Sequence, residues 1–285
     1  MNMIDFWLLL TLLSIFSFMI IMFFIAIVLK NNSIIDICWS LNFLLAALLA
    51  FLLNGFLNKA FLIHQLLIIA FLMIWGLRLS IHIARRNIGR GEDIRYKKRR
   101  EAWKKGFYIK SFFLIFMLQA LWAAIIVSPI VFSNSIYIEP DSGTYDFFTY
   151  PYKFEIIPLT IGSLVWIIGF YFEAIGDRQL RKFLKNPVNK GKIIQSGLWR
   201  YTRHPNYFGE ITMAWGLFIM AISLVIIEPL TNSWIFITII GPIMYTLLIR
   251  YVTGVPENEK FMITLPGYKE YMARTSVLFP WIPKR

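Results

Sequence analysis

A basic and aromatic segment at residues 197–210 carries the strongest chemical signal in the sequence. Its cations and aromatic rings are Arg200, Arg203, His204, Trp199, Tyr201 and Tyr207. Proline is favoured at the first position of a helix, so Pro205 predicts a helix whose free N–H groups and positive dipole end attract anions. The segment indicates a pocket for a phosphate-bearing ligand with a planar ring. A loop that only meets anionic lipid headgroups would carry a similar charge.

A second basic segment, residues 85–105, contains ten Lys or Arg residues and three acidic residues. Two of the acidic residues, Glu92 and Asp93, are adjacent. They either accept hydrogen bonds from a ribose or an adenine, or cap a helix predicted over residues 94–103. The sequence has no Gly-x-Gly-x-x-Gly motif after a strand and no Walker A lysine, which excludes the soluble nucleotide-binding folds.

Ionisable residues also occur inside apolar stretches, where they are costly and usually face a cavity or a partner. Six of them share one predicted depth: Asp36, Arg78, His82, Glu173, Asp177 and Glu210. This clustering favours a cavity open to the cytoplasm. Two structural alternatives stay open, namely that Asp36 pairs with Arg78 and that Glu173 contacts lipid headgroups.

The composition indicates the class of protein in which these residues are held. The chain has 285 residues, of which 58% are apolar and 16% charged, and its formal net charge is +13. The mean hydropathy is +0.62. A soluble domain needs more polar surface than this, so the composition indicates a membrane protein and excludes disorder and disulfide scaffolds. The single Cys38 and the three separated histidines predict no metal site.

Seven stretches are long and apolar enough to cross a membrane as helices. They cover residues 4–29, 34–53, 61–83, 108–132, 154–176, 208–227 and 234–251. The basic residues lie in alternate loops, which indicates membrane topology and not nucleic-acid binding. By the positive-inside rule the N-terminus is outside and the C-terminus cytoplasmic. We therefore predict an all-α integral membrane protein with about seven transmembrane helices in one domain, 1–285.

The motif at residues 203–210, followed by Trp215, resembles the signature of integral-membrane steroid 5-alpha-reductases. Relatives with a similar signature are the sterol C=C reductases and the isoprenylcysteine carboxyl methyltransferases. The resemblance is strongest to the bacterial branch of the 5-alpha-reductase-like group, which has no assigned function. Matching motifs lie at residues 36–39, 75–78, 91–96, 177–183, 197–210, 254–256 and 274–281.

This resemblance implies seven transmembrane helices with NADPH held on the cytoplasmic side, by a cofactor-binding half at about 154–285. The implied cofactor-binding residues are Asp177, Arg203, His204, Asn206, Tyr207 and Glu210, and more loosely Lys185, Arg95 and Tyr96. Tyr201 joins them as a stacking ring. The steroid enzymes have a Gln-Glu pair in the second span, whereas residues 36–40 here contain none. Reduction of a 3-keto-4-ene steroid therefore does not follow. The candidate catalytic acids are Asp36, Glu173, Glu210, Tyr201 and Tyr207.

Two enzymatic functions compete on these grounds. The first is an NADPH-dependent oxidoreductase that reduces a C=C bond in a lipid-like or steroid-like substrate. The second is a methyltransferase of the isoprenylcysteine type that uses S-adenosylmethionine, a cofactor without phosphate. A transporter is disfavoured because no internal repeat is evident. We expect the bilayer and an apolar small molecule as partners, no nucleic acid, no obligate protein partner, and location in the inner membrane if the source is bacterial.

The tail from Pro256 onward is too polar to span a membrane. Its apolar residues predict an amphipathic helix interrupted at Pro266 and Gly267. Such a helix could close the cofactor site through Glu259 or Arg274, and interface packing alone explains it equally well.

Overall fold

The computed structural model describes residues 3–58, 63–135, 156–223 and 233–284. Within these ranges the chain is helical, and its extended pairing is an isolated parallel bridge between Thr202 and Ser276. The predicted all-α class is therefore confirmed. The described residues fall into two compact units, one within Met1–Glu155 and Leu224–Gly241, the other within Ile156–Ser223 and Pro242–Arg285. A single domain stays a prediction.

The first unit is built from long apolar helices. Its elements are α1 (Met3–Leu29), α2 (Ile34–Asn58), α3 (Ile63–Asn87), α4 (Ile94–Trp103), α5 (Phe107–Ser111) and α6 (Leu118–Ser135), with a π-helical turn at Phe112–Met117 and a 3₁₀ segment at Ser233–Ile239. Helix α1 ends where Lys30 adopts a φ of 50°. The Asn31 side chain then accepts a hydrogen bond from the Ser33 N–H at 2.9 Å, which turns the chain into α2.

Two long helices and a folded-back tail form the second unit. Its elements are α7 (Ile156–Lys185), α8 (Pro205–Ala221), α9 (Ile240–Leu247, of which residues from Pro242 belong here), a π-helical turn (Leu248–Val252), α10 (Val255–Met262) and α11 (Tyr268–Arg274). The predicted break in the tail helix is confirmed, because α10 and α11 are separated by residues 263–267 and Gly267 has a φ of 76°.

Within the described residues, six continuous helical segments, two of which join several of the elements named above, are long and apolar enough to cross a membrane. They cover Leu8–Leu29, Ile34–Phe56, His64–Asn87, Ile94–Ser135, Ile156–Lys185 and Ser233–Met262. The chain is thus a multi-pass membrane protein that associates with a lipid bilayer. The predicted stretch 208–227 coincides with α8 and continues beyond the described residues, so the count of seven and the orientation stay predictions.

Glycines bring α7 and α8 into backbone contact. A Cβ built at Gly209 would lie 2.4 Å from the Gly169 carbonyl oxygen and 2.5 Å from the Glu173 nitrogen. Gly162 and Gly216 make a second such contact, since a Cβ at Gly162 would lie 2.6 Å from the Gly216 oxygen. Small residues allow this approach in transmembrane pairs. The contact places Glu173 directly beside the turn of α8 that carries Glu210.

The acidic pair of the first unit is structural. Asp93 caps α4, since its side chain accepts a hydrogen bond from the Arg95 N–H at 2.9 Å, and Glu92 accepts from Arg100 and from the Asn32 N–H. Burial raises the pKa of both carboxyl groups, but the hydrogen bonds from Arg100 to Glu92 and from Arg95 to Asp93 outweigh burial and hold each pKa below its usual range. Of the two predicted roles for this pair, capping is confirmed for Asp93.

Candidate functional site

The loop before α8 is held in place by hydrogen bonds within the second unit. The Trp199 indole N–H donates to the Gly176 carbonyl of α7 at 3.1 Å, and the Tyr271 hydroxyl donates to the Trp199 carbonyl. The Arg203 N–H donates to the Ser276 carbonyl at 2.9 Å. Helix α8 then begins at Pro205, as predicted. The start of this helix is therefore clamped between α7 and the segment after α11.

Arg203 directs its guanidinium into the protein. Its Nε donates to Glu259 Oε1 at 2.7 Å, and its Nη1 donates to the carbonyls of Thr275 at 2.8 Å and Met272 at 3.1 Å. The side chain is only 6% exposed. Three of its hydrogen bonds thus link the start of α8 to α10 and to the end of α11. Arg203 therefore stabilises the fold, whereas the sequence predicted only that it binds a cofactor.

His204 shares the same carboxylate. Its Nε2 lies 3.1 Å from Glu259 Oε1, and its ring stacks on that of Tyr207 with centroids 5.3 Å apart. Burial lowers the pKa of His204 and outweighs the opposing effect of Glu259. The Tyr268 hydroxyl donates to the same oxygen at 3.4 Å, and burial raises the pKa of Tyr268 to about 12. His204 and Tyr268 are therefore both neutral at neutral pH.

His204 should make stability depend on pH. Because its folded-state pKa lies below the unfolded-state value of about 6.5, the unfolded chain binds more protons as the pH falls through that value. The contribution of His204 is fully present above about pH 6.5 and is lost as the pH falls toward the folded-state pKa. We expect the thermal unfolding midpoint to drop on acidification, and to drop less in His204→Asn, whose side chain does not titrate. Equal pH profiles for the two proteins would contradict this role.

Helices α7 and α8 carry three acidic side chains in this part of the second unit, Glu173 and Asp177 on α7 and Glu210 on α8. Glu173 is fully buried and Asp177, one turn later on α7, is 8% exposed. The Asn206 Nδ2 donates to Asp177 Oδ1 at 3.3 Å, and the Tyr245 hydroxyl of α9 donates to Glu210 Oε2 at 2.8 Å.

The polar side chains of this region interact with one another. Glu210, Glu173 and Tyr207 all interact electrostatically with the Tyr245 phenol, and the Asn258 amide donates to the Tyr207 hydroxyl. Three carboxylates and three amide or phenol groups therefore converge within the second unit, the groups being Glu173, Asp177, Glu210, Asn206, Tyr207 and Tyr245.

The structure brings together most of the residues predicted for the site. The second unit gathers Glu173, Asp177, Arg203, His204, Asn206, Tyr207 and Glu210. Two further predicted cofactor residues of this unit, Lys185 and Tyr201, are exposed. The roles of these residues in cofactor binding and catalysis stay predictions.

The three remaining predicted residues form a separate cluster in the first unit. Asp36 accepts hydrogen bonds from Arg95 Nη2 and from the Tyr96 hydroxyl, each at 2.6 Å. Arg95 also contacts Asp93 at 3.0 Å, and Tyr96 is buried. These contacts fix α4 against the start of α2, and they occupy both oxygens of Asp36.

Comparison with known proteins assigns the family. Residues 22–275 match the family described as "Protein of unknown function (DUF1295)". The chain belongs to this family. The match extends over most of both units of this DUF1295 protein and includes every residue that the sequence predicted for the site.

Two curated relatives of the DUF1295 chain are named as methyltransferases. "Probable O-methyltransferase ustE" of Ustilaginoidea virens is 39% identical over 49 residues, which are 17% of each chain. "Methanethiol S-methyltransferase 1" of Bradyrhizobium diazoefficiens is 24% identical over 133 residues, which are 43% of this chain and 41% of the relative. The matches thus span less than half of either relative. No solved structure matches significantly.

Tyr245 and Asn258 were not predicted from the sequence. Tyr245 lies within the apolar stretch 234–251, where its hydroxyl needs a partner because no water is present in the bilayer core. That requirement could have been used to predict that Tyr245 has a polar partner. Asn258 had no comparable signal, because it lies in the polar tail and reaches Tyr207 only through the fold of α10.

Proposed function

We propose that this protein is an integral-membrane methyltransferase that binds S-adenosylmethionine in the second unit. The sign of the charge around Tyr245 carries the proposal. Glu173 and Asp177 of α7 and Glu210 of α8 place three carboxylates in this part of the second unit, while the Arg203 guanidinium is paired with Glu259 and with two backbone carbonyls. The names of the two curated relatives support the same reaction class.

The charges of the two candidate cofactors differ in sign. S-adenosylmethionine carries a cationic sulfonium and a cationic ammonium group, which carboxylates stabilise. NADPH carries a pyrophosphate and a 2′-phosphate, which the same carboxylates repel in a medium of low dielectric constant. Since the Arg203 guanidinium is paired with the Glu259 carboxylate, its charge is already balanced within the protein and does not offset that repulsion.

The residues of this unit suit the parts of S-adenosylmethionine. Glu173 and Glu210 would hold the cationic groups, with the Tyr245 hydrogen bond fixing the Glu210 carboxylate. Asp177 and Asn206 would bind ribose hydroxyls. The stacked rings of His204 and Tyr207 offer a flat surface for the adenine.

When bound, the cofactor would supply an electrophilic methyl group for transfer to an acceptor sulfur or oxygen. The protein would have to position that acceptor and accept its proton. Glu210 is the candidate base, because a carboxylate can accept a proton and the Tyr245 hydrogen bond fixes its position within the second unit. Exclusion of water by the surrounding apolar helices would protect the methyl group from hydrolysis.

Reduction by NADPH is the second candidate function. Its support is the set of exposed cations before α8, which are Lys185, Lys190, Lys192 and Arg200. Several exposed Lys and Arg residues suit several phosphates. These cations also suit anionic lipid headgroups, so the carboxylates of Glu173, Asp177 and Glu210 favour the methyltransferase.

The Glu210→Gln variant tests the proposal, because it keeps the shape of the side chain and one acceptor oxygen for the Tyr245 hydroxyl and removes the charge. Loss of one charge-assisted contact should weaken S-adenosylmethionine binding about tenfold or more. Isothermal titration of the protein in lipid nanodiscs measures the change. Glu257→Gln, an exposed carboxylate on α10, is the matched control and should bind like the wild type. Unchanged affinity in Glu210→Gln would contradict the proposal.

A further inference from the structure

The segment after α11 presents large apolar side chains on the surface of the second unit. Phe279, Trp281 and Ile282 are 70%, 74% and 76% exposed. Together with Tyr201 and Pro280, the last two line a shallow hollow. Contiguous exposed apolar groups of this size mark an interaction surface.

Hydrogen bonds hold this segment in one conformation. The Trp281 N–H donates to the Tyr201 carbonyl and the Lys284 N–H donates to the Arg274 carbonyl, each at 2.9 Å. The Thr202 hydroxyl donates to the Leu278 carbonyl at 2.8 Å, and the Leu278 side chain is buried. The outward direction of the large side chains is therefore a property of the folded chain and not of a frayed end.

A row of aromatic rings connects the segment to a membrane-spanning helix. The Phe279 ring lies 5.7 Å from that of Phe208 in the first turns of α8, and Phe208 lies 4.9 Å from Phe172 of α7, between centroids. Helix α7 is one of the helices able to cross the membrane. The exposed side chains thus continue the apolar surface of a span toward its end, which is the depth that Trp residues favour.

The charges around these side chains are mostly positive. Arg200, Arg274 and Lys284 are exposed beside the segment. Glu270 is the only acidic residue in the sequence from 260 to 284, and residues 190–204 contain none. A basic, aromatic surface at the end of a span is complementary to anionic phospholipid headgroups.

We propose that residues 278–284 anchor the second unit to the lipid–water interface of an anionic bilayer. Phe279, Trp281 and Ile282 insert below the headgroups, and Arg200 and Lys284 bind the lipid phosphates. This anchor fixes the loop before α8 at the membrane surface, since that loop and the segment are hydrogen-bonded to each other.

A spin label at Ile282→Cys tests the anchor, with the buried Cys38 replaced by alanine so that one site reacts. In nanodiscs of phosphatidylcholine and phosphatidylglycerol, we expect the label to collide with oxygen dissolved in the lipid. We expect the label to collide far less often with a neutral, water-soluble nickel chelate than a label exposed to water does. A label at Ser196→Cys, an exposed polar position of the same unit, is the control and should stay accessible to the chelate.

Charge is tested separately with the double variant Arg200→Ser, Lys284→Ser. The label at position 282 should be less protected in this variant. It should also be less protected when the labelled chain that keeps Arg200 and Lys284 is placed in pure phosphatidylcholine. A label at Ile282 as accessible to the chelate as that at Ser196 would overturn the proposal. The proposal would also be overturned if the protection of the label were the same in anionic and in neutral lipid. It would be overturned as well by dipolar broadening between labels, which would show that a second copy of the chain covers the segment.

Discussion

Replacing Glu259 by alanine is expected to destabilise the protein by about 3 to 5 kcal/mol. The Glu259 carboxylate accepts hydrogen bonds from Arg203 at 2.7 Å and from Tyr268 at 3.4 Å, and lies 3.1 Å from the His204 ring. Its removal leaves a buried guanidinium without its counter-charge, which costs far more than a surface ion pair contributes. The measurement is the thermal unfolding midpoint of purified protein in detergent, followed by tryptophan fluorescence.

The chain provides a close control for this variant. Glu257 lies on the same helix and is exposed, so Glu257→Ala should change stability by no more than about 0.5 kcal/mol. Combining Glu259→Leu with Arg203→Leu removes both charges and should recover part of the loss. Equal midpoints for Glu259→Ala and Glu257→Ala would show that Arg203 does not depend on Glu259.

Introducing a single methyl group at Gly209 is expected to separate α7 from α8. The new Cβ would lie 2.4 Å from the Gly169 oxygen and 2.5 Å from the Glu173 nitrogen, both of which are backbone atoms that no rotamer change can move. Overpacking of this kind costs about 1 to 3 kcal/mol or more. Because Glu173 and Glu210 flank the contact, we expect Gly209→Ala to lower both the unfolding midpoint and the affinity for S-adenosylmethionine.

Gly106→Ala is the control for Gly209→Ala, because it makes the same substitution at a position where the new methyl group has space. The comparison separates the effect of crowding from the intrinsic preference of alanine for a helix. A Cβ at Gly106 would meet nothing closer than the Lys110 Cε at 3.6 Å. The same substitution should therefore be neutral or slightly stabilising there. A Gly209→Ala protein with the unfolding midpoint and cofactor affinity of the wild type would refute the backbone contact.

Local rules predicted much of the helical structure. The apolar stretches correspond to the long helices, Pro205 begins α8, and Asp93 caps a helix over the predicted residues Ile94–Trp103. Each of these features depends on residues close in sequence. Hydrophobic length and helix-end preferences therefore suffice to predict them.

The partners of the charged residues could not be predicted in the same way. Arg203 and Glu259 are 56 positions apart and meet because α10 and α11 fold back onto the start of α8. From the sequence alone, Arg203 counts as one more cation in a basic loop, which favours a phosphate ligand. The hydrogen bonds to Glu259, Thr275 and Met272 change that inference, because they direct the guanidinium inward.

The same limit applies to Asp36. Its sequence position near the start of α2 indicates a polar contact but does not name the partner. The partners are Arg95 and Tyr96, some 60 residues later on α4. For buried ionisable groups, the sequence thus predicts the need for a partner, whereas the tertiary fold selects it.

The most direct test of the proposed function is to titrate the wild-type protein in lipid nanodiscs with S-adenosylmethionine and, separately, with NADPH. Isothermal calorimetry reports both equilibria under the same conditions. The carboxylates of Glu173, Asp177 and Glu210 predict saturable binding of S-adenosylmethionine and no saturable binding of NADPH. Saturable binding of NADPH without binding of S-adenosylmethionine would contradict the methyltransferase and establish the reductase in its place.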